Sequence, residues 1–244
     1  MAAVDAGPLR DGGAHAAPYG RVDAIAEGPP AVGARRGAAY VPSIGAIVLI
    51  RHGETDANAA RVVQRPDVAL SARGVEQARR LAARLAKRRV GAIVSSDLRR
   101  AVMTAETLRE RISVPLTLDP GLRERDYGDV RGTAYADLGT DIFAPDYSPP
   151  KGETWAAFHA RVAEAWTRIQ AIAGCTDGDL VVVTHGLVCH AIATRHLELP
   201  GGTRVGMGWT HTSVTEIDGP PYRMARLVDC SAHLLAASDA AGPV

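Results

Sequence analysis

Three short apolar segments constrain the fold of this chain more than any other feature of its sequence. They span residues 44–50, 92–94 and 180–183. Each has the length of a strand, and none alternates apolar with polar residues, which is typical of strands buried on both faces. Such strands occur in parallel sheets with helices on both sides, so these segments predict the centre of an α/β domain.

Segments with helical periodicity lie between and after these strands. They cover residues 73–89, 97–111 and 153–173, and a stretch that follows Gly186. Later strands are predicted at 212–217 and 223–228. Alternating strands and helices predict a three-layer α/β/α sandwich with a mainly parallel central sheet. We assign the helical tryptophans to the core and the arginines of the first helix to a solvent-facing side; they are Trp155, Trp166, Arg79, Arg80, Arg84 and Arg88.

Residues 1–43 differ in composition from the rest of the chain. Ala, Gly and Pro account for 24 of these 43 residues, and no apolar periodicity persists. Such a segment buries too little apolar surface to fold, so we expect a disordered or low-complexity N-terminal tail. The predicted domain then spans residues 44–235, and a C-terminal tail covers residues 236–244.

Charge and cysteine content argue against several classes of function. The chain has 28 basic and 27 acidic residues and a net charge of +1, so no global field favours nucleic acid or a membrane surface. Cys175, Cys189 and Cys230 lack the spacing of a metal site and suit a reducing compartment. No apolar run approaches the roughly 20 residues needed to span a bilayer. We therefore expect a cytoplasmic protein that binds neither nucleic acid nor membrane.

Polar side chains that suit catalysis follow three of the predicted strands. These strands run into Arg51–Gly53, Ser95–Arg100 and Thr184–Gly186. In open α/β sheets, ligands bind beyond the carboxyl ends of the strands. Two histidines and at least two arginines are therefore expected to meet in one crevice.

This set of residues suits a phosphorylated ligand. Guanidinium groups match the oxygens of a phosphate or carboxylate, and the helix N-termini after Ser96 and His185 add backbone N–H groups. A neutral imidazole in such a pocket can act as a covalent nucleophile, and neighbouring arginines disfavour its protonation. A leaving alkoxide then needs an acid nearby.

Four motifs resemble, in order, those of the histidine phosphatase superfamily, which includes the cofactor-dependent phosphoglycerate mutases. They are Arg51–Asn58, Ser96–Glu106, Leu122–Gly128 and Val183–Gly186. The segment from Pro66 to Ala78 also fits the lead into that family's first helix, and the resemblance extends over residues 44–230. It implies a phosphoglycerate mutase-like fold and a phosphohistidine enzyme that needs neither metal nor cofactor.

The resemblance also implies roles for the matched residues. His52 is the nucleophile, and Glu124 is the proton donor and later the base, with Asp126 as the reserve candidate for the acid. The groups expected to bind the phosphoryl oxygens or to stabilise the transition state are Arg51, Asn58, Arg100, His185 and the backbone N–H of Gly186. The remaining histidines that we considered are assigned structural roles; they are His159, His190, His196 and His211.

Two departures from the family's pattern bear on the activity. Many relatives have a Trp directly before Asn58, where this chain has Ala57, which affects substrate contacts at that position. The segment Asp129–Lys151 is short and has Arg131 as its only arginine, whereas the mutases carry a longer, arginine-rich insertion here. We therefore favour a phosphomonoesterase acting on a small phosphorylated metabolite over a mutase.

The sequence leaves several alternatives open. Candidate substrates are sugar phosphates, nucleotide-loop precursors and a protein phosphohistidine. Alternative functions are a phosphoglycerate mutase-type phosphotransferase, a non-catalytic phospho-ligand binding domain, and a metal hydrolase that uses His52, Glu54 and His185. The sequence does not give the oligomeric state, for which a homodimer is one candidate.

Overall fold

The computed structural model describes residues 44–235, and this part of the chain is built around a six-stranded sheet. The strands are β1 (Ile44–Arg51), β2 (Val90–Ser95), β3 (Leu116–Leu118), β4 (Gly178–Thr184), β5 (Val214–Ile217) and β6 (Ala225–Cys230). Their order across the sheet is β3-β2-β4-β1-β5-β6. The first four strands along the chain pair in parallel, whereas β5 is antiparallel to both β1 and β6. The mainly parallel sheet is confirmed, while both predicted tails lie outside the described residues.

Helices cover both faces of the sheet. They are α1 (Asp56–Ala59), α2 (Ala72–Leu85), α3 (Arg99–Ile112), α4 (Trp155–Cys175) and α5 (Gly186–His196). The side chains of β1 alternate between the two faces, as the strand geometry requires. Val48 and Ile50 pack with α2 and α3, whereas Ile47 and Leu49 pack with α4 and α5. This arrangement confirms the three-layer sandwich. Among residues 44–235, no helix is both long and apolar enough to cross a bilayer.

Some predicted bounds were wrong, for identifiable reasons. The first predicted helix was to reach residue 89, but α2 ends at Leu85. The residues that follow it turn onto the sheet, where Arg88 Nε donates to Asp179 Oδ2 (2.7 Å) and Asp179 N–H donates to the Arg89 carbonyl (2.8 Å). The short elements β3 and α1 were missed because three or four residues are too few to show a periodicity.

A carboxylate on β5 joins α2 to the sheet. Glu216 is 9% exposed, and its Oε1 lies 2.6 Å from Arg88 Nη1 and 3.8 Å from Arg84 Nη2. Its Oε2 accepts from Arg226 Nη2 (2.7 Å). The expectation that Arg84 and Arg88 are solvated was therefore wrong: their side chains are only 24% and 22% exposed. Carboxylates this poorly hydrated need their partners, so the network stabilises the end of α2 on the sheet.

We expect Glu216→Gln to lower the free energy of unfolding by about 2 kcal/mol, because three guanidinium groups lose an anionic partner that they share at a nearly buried position. Denaturation with urea measures this change. Glu76→Gln is the matched control, since Glu76 pairs with Arg79 and Arg80 on the exposed side of α2 and is 52% exposed. That control should change stability by less than about 0.5 kcal/mol. Equal effects of the two substitutions would contradict the account.

Candidate active site

Three neighbouring strands end side by side at the candidate site. Arg51 pairs with Thr184 at the ends of β1 and β4, and His52 N–H donates to the Thr184 carbonyl (2.9 Å). Ser96 N–H donates to the Val183 carbonyl (2.9 Å), which aligns the end of β2 with the same edge. His52 and His185 therefore leave adjacent strands at the same level, and their ring centroids are 5.0 Å apart.

The imidazole of His52 is held in one orientation by two hydrogen bonds. Its Nδ1 lies 2.6 Å from the Gly53 carbonyl oxygen, which can only accept, so the ring proton is on Nδ1. Its Nε2 then carries the lone pair and accepts from Arg100 Nε (3.2 Å). The side chain is almost fully buried, and burial together with Arg100, His185 and Arg51 holds the pKa of His52 well below its ordinary value. The ring is neutral at neutral pH.

Glycine is required where the loop after β1 meets α2. A Cβ on Gly74 would overlap the carbonyl oxygen of Glu54, and one on Gly53 would lie 2.6 Å from the carbonyl oxygen of Gly74. Ser71 caps α2 by accepting from Gly74 N–H (3.0 Å), and Ser71 N–H donates to the Glu54 carbonyl (2.9 Å). The backbone that carries His52 is therefore packed directly against the first turn of α2.

Two guanidinium groups, the buried one of Arg100 and the partly buried one of Arg51, act on His52. Arg100 lies in the first turn of α3, and its Nη1 donates to the Arg65 carbonyl (3.2 Å). Burial lowers the pKa of Arg100 to about 10, which leaves it protonated at neutral pH. Arg51 donates through Nη1 to the Trp209 carbonyl, while its buried Nε has no protein partner. A Cβ on Gly186 would lie 3.6 Å from Arg51 Nε, so the side chain of Arg51 runs beside the start of α5.

His185 is the second buried imidazole of the site. Its Nε2 lies 2.8 Å from Ser96 Oγ, which also accepts from Leu98 N–H (3.3 Å). This arrangement favours donation from the Ser96 hydroxyl to Nε2, with the ring proton of His185 on Nδ1. That Nδ1 is buried and has no partner in the protein. Burial, Arg100 and Arg51 hold the pKa of His185 well below its ordinary value.

Glu124 reaches the site from the loop between β3 and α4. Its Oε1 accepts from Arg125 N–H (3.1 Å), and its Oε2 accepts from Leu187 N–H (3.2 Å) in the first turn of α5. Burial raises the pKa of Glu124 above its ordinary value, although these two N–H groups and the charges of Arg100 and Arg51 oppose the rise. A raised pKa brings a carboxyl group closer to the range that suits general acid catalysis near neutral pH.

The buried guanidinium of Arg125 ties this loop to the segment that follows it. It donates to the carbonyl oxygens of Glu153 (3.0 Å), Ile142 (3.2 Å) and Tyr147 (2.7 Å). It also lies 3.9 Å from the ring centroid of Trp155. Arg125 therefore fixes the chain from 142 to 155 against the residue that follows Glu124. This role of Arg125 could not be predicted from the sequence, because backbone acceptors leave no signal in side-chain patterns.

Other candidates have clear local roles. Asn58 forms a capping box on α1 with Thr55, in which its Oδ1 accepts from Thr55 N–H (3.2 Å), so its amide NH₂ is left for a ligand. Asp126 Oδ1 accepts from Gly128 N–H (2.7 Å) in a turn and pairs with Arg131. That placement does not favour Asp126 as the acid.

The triad proposed for a metal hydrolase is not assembled. The Glu54 carboxylate faces Arg73 (3.4 Å) and the Ser71 hydroxyl (3.3 Å) instead of the two histidines. In the described part of the chain, no three His, Cys, Asp or Glu side chains are grouped so that they could hold a metal ion.

Three of the histidines assigned structural roles lie on helices. His159 stacks on Trp155 with ring centroids 5.6 Å apart, and His190 Nδ1 lies 3.1 Å from the Gly206 carbonyl oxygen. His196 is the last residue of α5. His211 is different, because its ring centroid lies 6.0 Å from that of His52. His211 was not predicted at the site, because it is the pairing of β5 with β1 that brings it there.

This arrangement can bind and attack a phosphoryl group. The neutral His52 ring accepts from Arg100 through Nε2, and the charge of Arg51 also acts on this ring. The carboxyl group of Glu124, which has a raised pKa, interacts with the same two arginines. The N-terminus of α5 adds backbone N–H groups and a favourable dipole for an anion.

Comparison with known proteins identifies relatives that match most of this chain. The model of the histidine phosphatase superfamily (branch 1) matches residues 47–228. Glucosyl-3-phosphoglycerate phosphatase of Mycobacterium tuberculosis (strain ATCC 25618 / H37Rv) is 34% identical over 201 residues, which cover 74% of this chain and 90% of the relative. Probable phosphoglycerate mutase GpmB of Proteus mirabilis (strain HI4320) is 30% identical over 182 residues, covering 70% and 84%.

A solved structure gives the same result for the fold. The mycobacterial glucosyl-3-phosphoglycerate phosphatase in complex with inorganic phosphate superposes with a TM-score of 0.65 and 30% sequence identity. The match covers 78% of this chain and all (100%) of that chain. The resemblance drawn from the four sequence motifs is thereby confirmed.

The lowered pKa values of the two buried histidines predict a loss of stability in mild acid. In the unfolded chain an imidazole has a pKa of about 6.5. Below that pH the unfolded state therefore binds protons that the two histidines of the folded state do not bind. The free energy of unfolding then falls with pH, with a slope that approaches about 1.4 kcal/mol per pH unit for each histidine.

His185→Asn should therefore flatten the pH dependence of stability below about pH 6.5 by up to that amount. Denaturation curves recorded at several pH values on both proteins measure the slopes. The raised pKa of Glu124 acts in the opposite sense, because the folded state keeps that proton to a higher pH, but it is present in both proteins. Identical slopes would show that His185 is not held neutral by the fold.

Proposed function

The chain belongs to the histidine phosphatase superfamily, and from this membership we propose that it hydrolyses a small phosphorylated metabolite through a phosphohistidine on His52. The observation that carries the proposal is the state of His52: a buried neutral ring whose Nε2 lone pair lies 3.2 Å from Arg100 Nε. A phosphate monoester held by the two arginines would present its phosphorus to that nitrogen.

The first half of the reaction forms the phosphohistidine. His52 Nε2 attacks phosphorus, and the bond between phosphorus and the ester oxygen breaks. The carboxyl group of Glu124 gives its proton to the leaving oxygen, so the product departs as an alcohol. Arg51 and Arg100 bind the phosphoryl oxygens throughout, and Asn58, His185 and the N-terminus of α5 add further hydrogen bonds.

The second half returns the enzyme to its starting state. Water attacks the phosphorus atom, its proton passes to the Glu124 carboxylate, and the bond to His52 Nε2 breaks with release of inorganic phosphate. Each positioned donor in a site of this kind contributes about 3 kcal/mol to transition-state stabilisation. No step draws on a metal ion, because Arg51 and Arg100 supply the positive charge and the neutral histidine His185 supplies a hydrogen bond.

The relatives' names suggest the class of substrate. The mycobacterial relative is named for a glucosylated phosphoglycerate and the Proteus relative for phosphoglycerate, so we propose a small phosphorylated sugar or acid. We favour a phosphatase over a mutase, because the mutases carry an arginine-rich insertion between residues 129 and 151. Here Arg131 is the only arginine in that segment, and it forms an ion pair with Asp126. A non-catalytic binding domain would not need a carboxyl group with a raised pKa beside the phosphate site.

We also propose a cytoplasmic location. The three cysteines are unpaired, and Cys189 is buried, as is common in proteins of a reducing compartment.

Alkaline quenching of the protein during turnover of a ³²P-labelled phosphomonoester should trap label on the wild-type chain and none on His52→Ala. The variant should also lose activity by about four orders of magnitude or more, because the nucleophile is absent. His190 lies within α5, and His190→Ala is the control, which should keep the label. Label retained by His52→Ala would contradict the proposal. Transfer of the label from the wild-type protein to a phosphoglycerate instead of to water would favour the mutase alternative.

Glu124→Gln should lower kcat by about 100-fold or more while the dissociation constant of inorganic phosphate changes little, because glutamine keeps the shape but supplies no proton. The loss should be larger for glycerol phosphate than for 4-nitrophenyl phosphate, whose leaving group needs no protonation. Asp126→Asn is the matched control and should retain nearly full kcat. Equal losses in kcat and phosphate binding would remove Glu124 as the acid.

A further inference from the structure

The loop that precedes β5 leaves polar atoms buried without a partner. Trp209 Nε1, His211 Nε2 and Ser213 Oγ are inaccessible to solvent and have no hydrogen-bond partner in the protein. Buried polar atoms are nearly always paired in folded proteins, so three within five residues call for an explanation. For His211, whose ring lies beside that of His52, a bound ligand that accepts a hydrogen bond would satisfy Nε2.

His211 lies just before β5, and this position suggests that it contacts the same ligand as His52 and His185. The strand order β4-β1-β5 places the His185 end on one side of His52 and the 209–213 loop on the other. The ring centroids of His185 and His211 lie 5.0 Å and 6.0 Å from that of His52. Two further unpartnered atoms, Arg51 Nε and His185 Nδ1, belong to the same group of side chains.

The loop is held firmly against β1. Thr212 N–H donates to the carbonyl oxygens of Arg51 (3.0 Å) and His52 (3.3 Å), and the Trp209 carbonyl accepts from Arg51. Thr212 takes the left-handed conformation (φ 56°), which is unusual for a β-branched residue. Such strain persists where several surrounding contacts fix the backbone conformation, and it is common at ligand sites. The neighbouring His211 is thereby fixed to the backbone of the nucleophile.

The charge around His211 suits a donor to an anion. Burial, Arg51 and Arg73 lower its pKa to about 3, so the ring is neutral at neutral pH and carries one N–H. A neutral donor adds a hydrogen bond to a bound oxyanion without the desolvation cost of another buried charge. It also leaves the nucleophile's own ring unprotonated.

We propose that His211 is a third histidine of the phosphoryl site, whose Nε2–H donates a hydrogen bond to an oxygen of the phosphoryl group or phosphate bound at His52. The inference rests on the proposed function for the identity of the ligand. His211 then faces the oxyanion from the side of β5, opposite His185, and its contribution grows as charge develops on the phosphoryl oxygens during transfer.

The test uses inorganic phosphate as the probe, because its binding does not depend on turnover. Isothermal titration calorimetry of the full chain should show that His211→Phe weakens phosphate binding about tenfold, since phenylalanine keeps the ring and removes the donor. kcat for 4-nitrophenyl phosphate should fall about 100-fold. His211→Gln restores an N–H near the position of Nε2 and should recover most of both losses. His196→Phe, at the end of α5, is the matched control and should behave as the wild type.

A second measurement needs no substitution. In the wild-type protein with ¹⁵N-labelled histidine, the N–H resonance of His211 should shift on titration with phosphate, and that of His196 should not. Wild-type phosphate binding and turnover in His211→Phe, or equal losses in the Phe and Gln variants, would overturn the inference. So would an unshifted His211 resonance at saturating phosphate, or no phosphate binding by the wild type. If the wild type binds phosphate but hydrolyses no ester, the proposed function is overturned. The effect of His211→Phe on phosphate binding would then still test the inference about His211.

Discussion

β1 and β4 run in parallel through the centre of the sheet with Arg51 paired to Thr184, so that His52 and His185 emerge from the same edge one residue later. Every other part of the site is added to this pair. The start of α5 follows from β4 and receives Glu124, α3 follows from β2 and brings Arg100, and β5 pairs with β1 from the other side. A shift in the pairing of β1 with β4 would separate the two imidazoles and dismantle the site.

Burial of this edge sets the protonation states that the chemistry requires. Removal from water lowers the pKa of His52 and raises that of Glu124, and these are the directions that the proposed nucleophile and the proposed acid require. The charges of Arg51 and Arg100 reinforce the first effect and oppose the second. This preparation has a cost, because Arg51 Nε and His185 Nδ1 are buried without partners until a ligand accepts their hydrogen bonds. The site is therefore complementary to an oxyanion before one arrives.

Much of the fold and the centre of the site could be predicted from sequence, because both are encoded locally. Apolar runs marked the central strands, and the residues directly after those runs include His52 and His185. Arg125, Glu216 and His211 were missed or misassigned for a shared physical reason. Their partners are distant in sequence: backbone carbonyls for Arg125, arginines on other elements for Glu216, and the antiparallel pairing of β5 with β1 for His211. No local pattern states which strands pair.

A crystal structure of the protein with vanadate tests the central claim, that His52 Nε2 is the atom that bonds to phosphorus, most directly. Vanadate takes a five-coordinate geometry that resembles phosphorus during transfer. The account predicts vanadium bonded to His52 Nε2 at an apical position, with equatorial oxygens contacted by Arg51 and Arg100 and the opposite apical oxygen near Glu124. Vanadate bound with water at both apical positions, or bonded to another side chain, would contradict it.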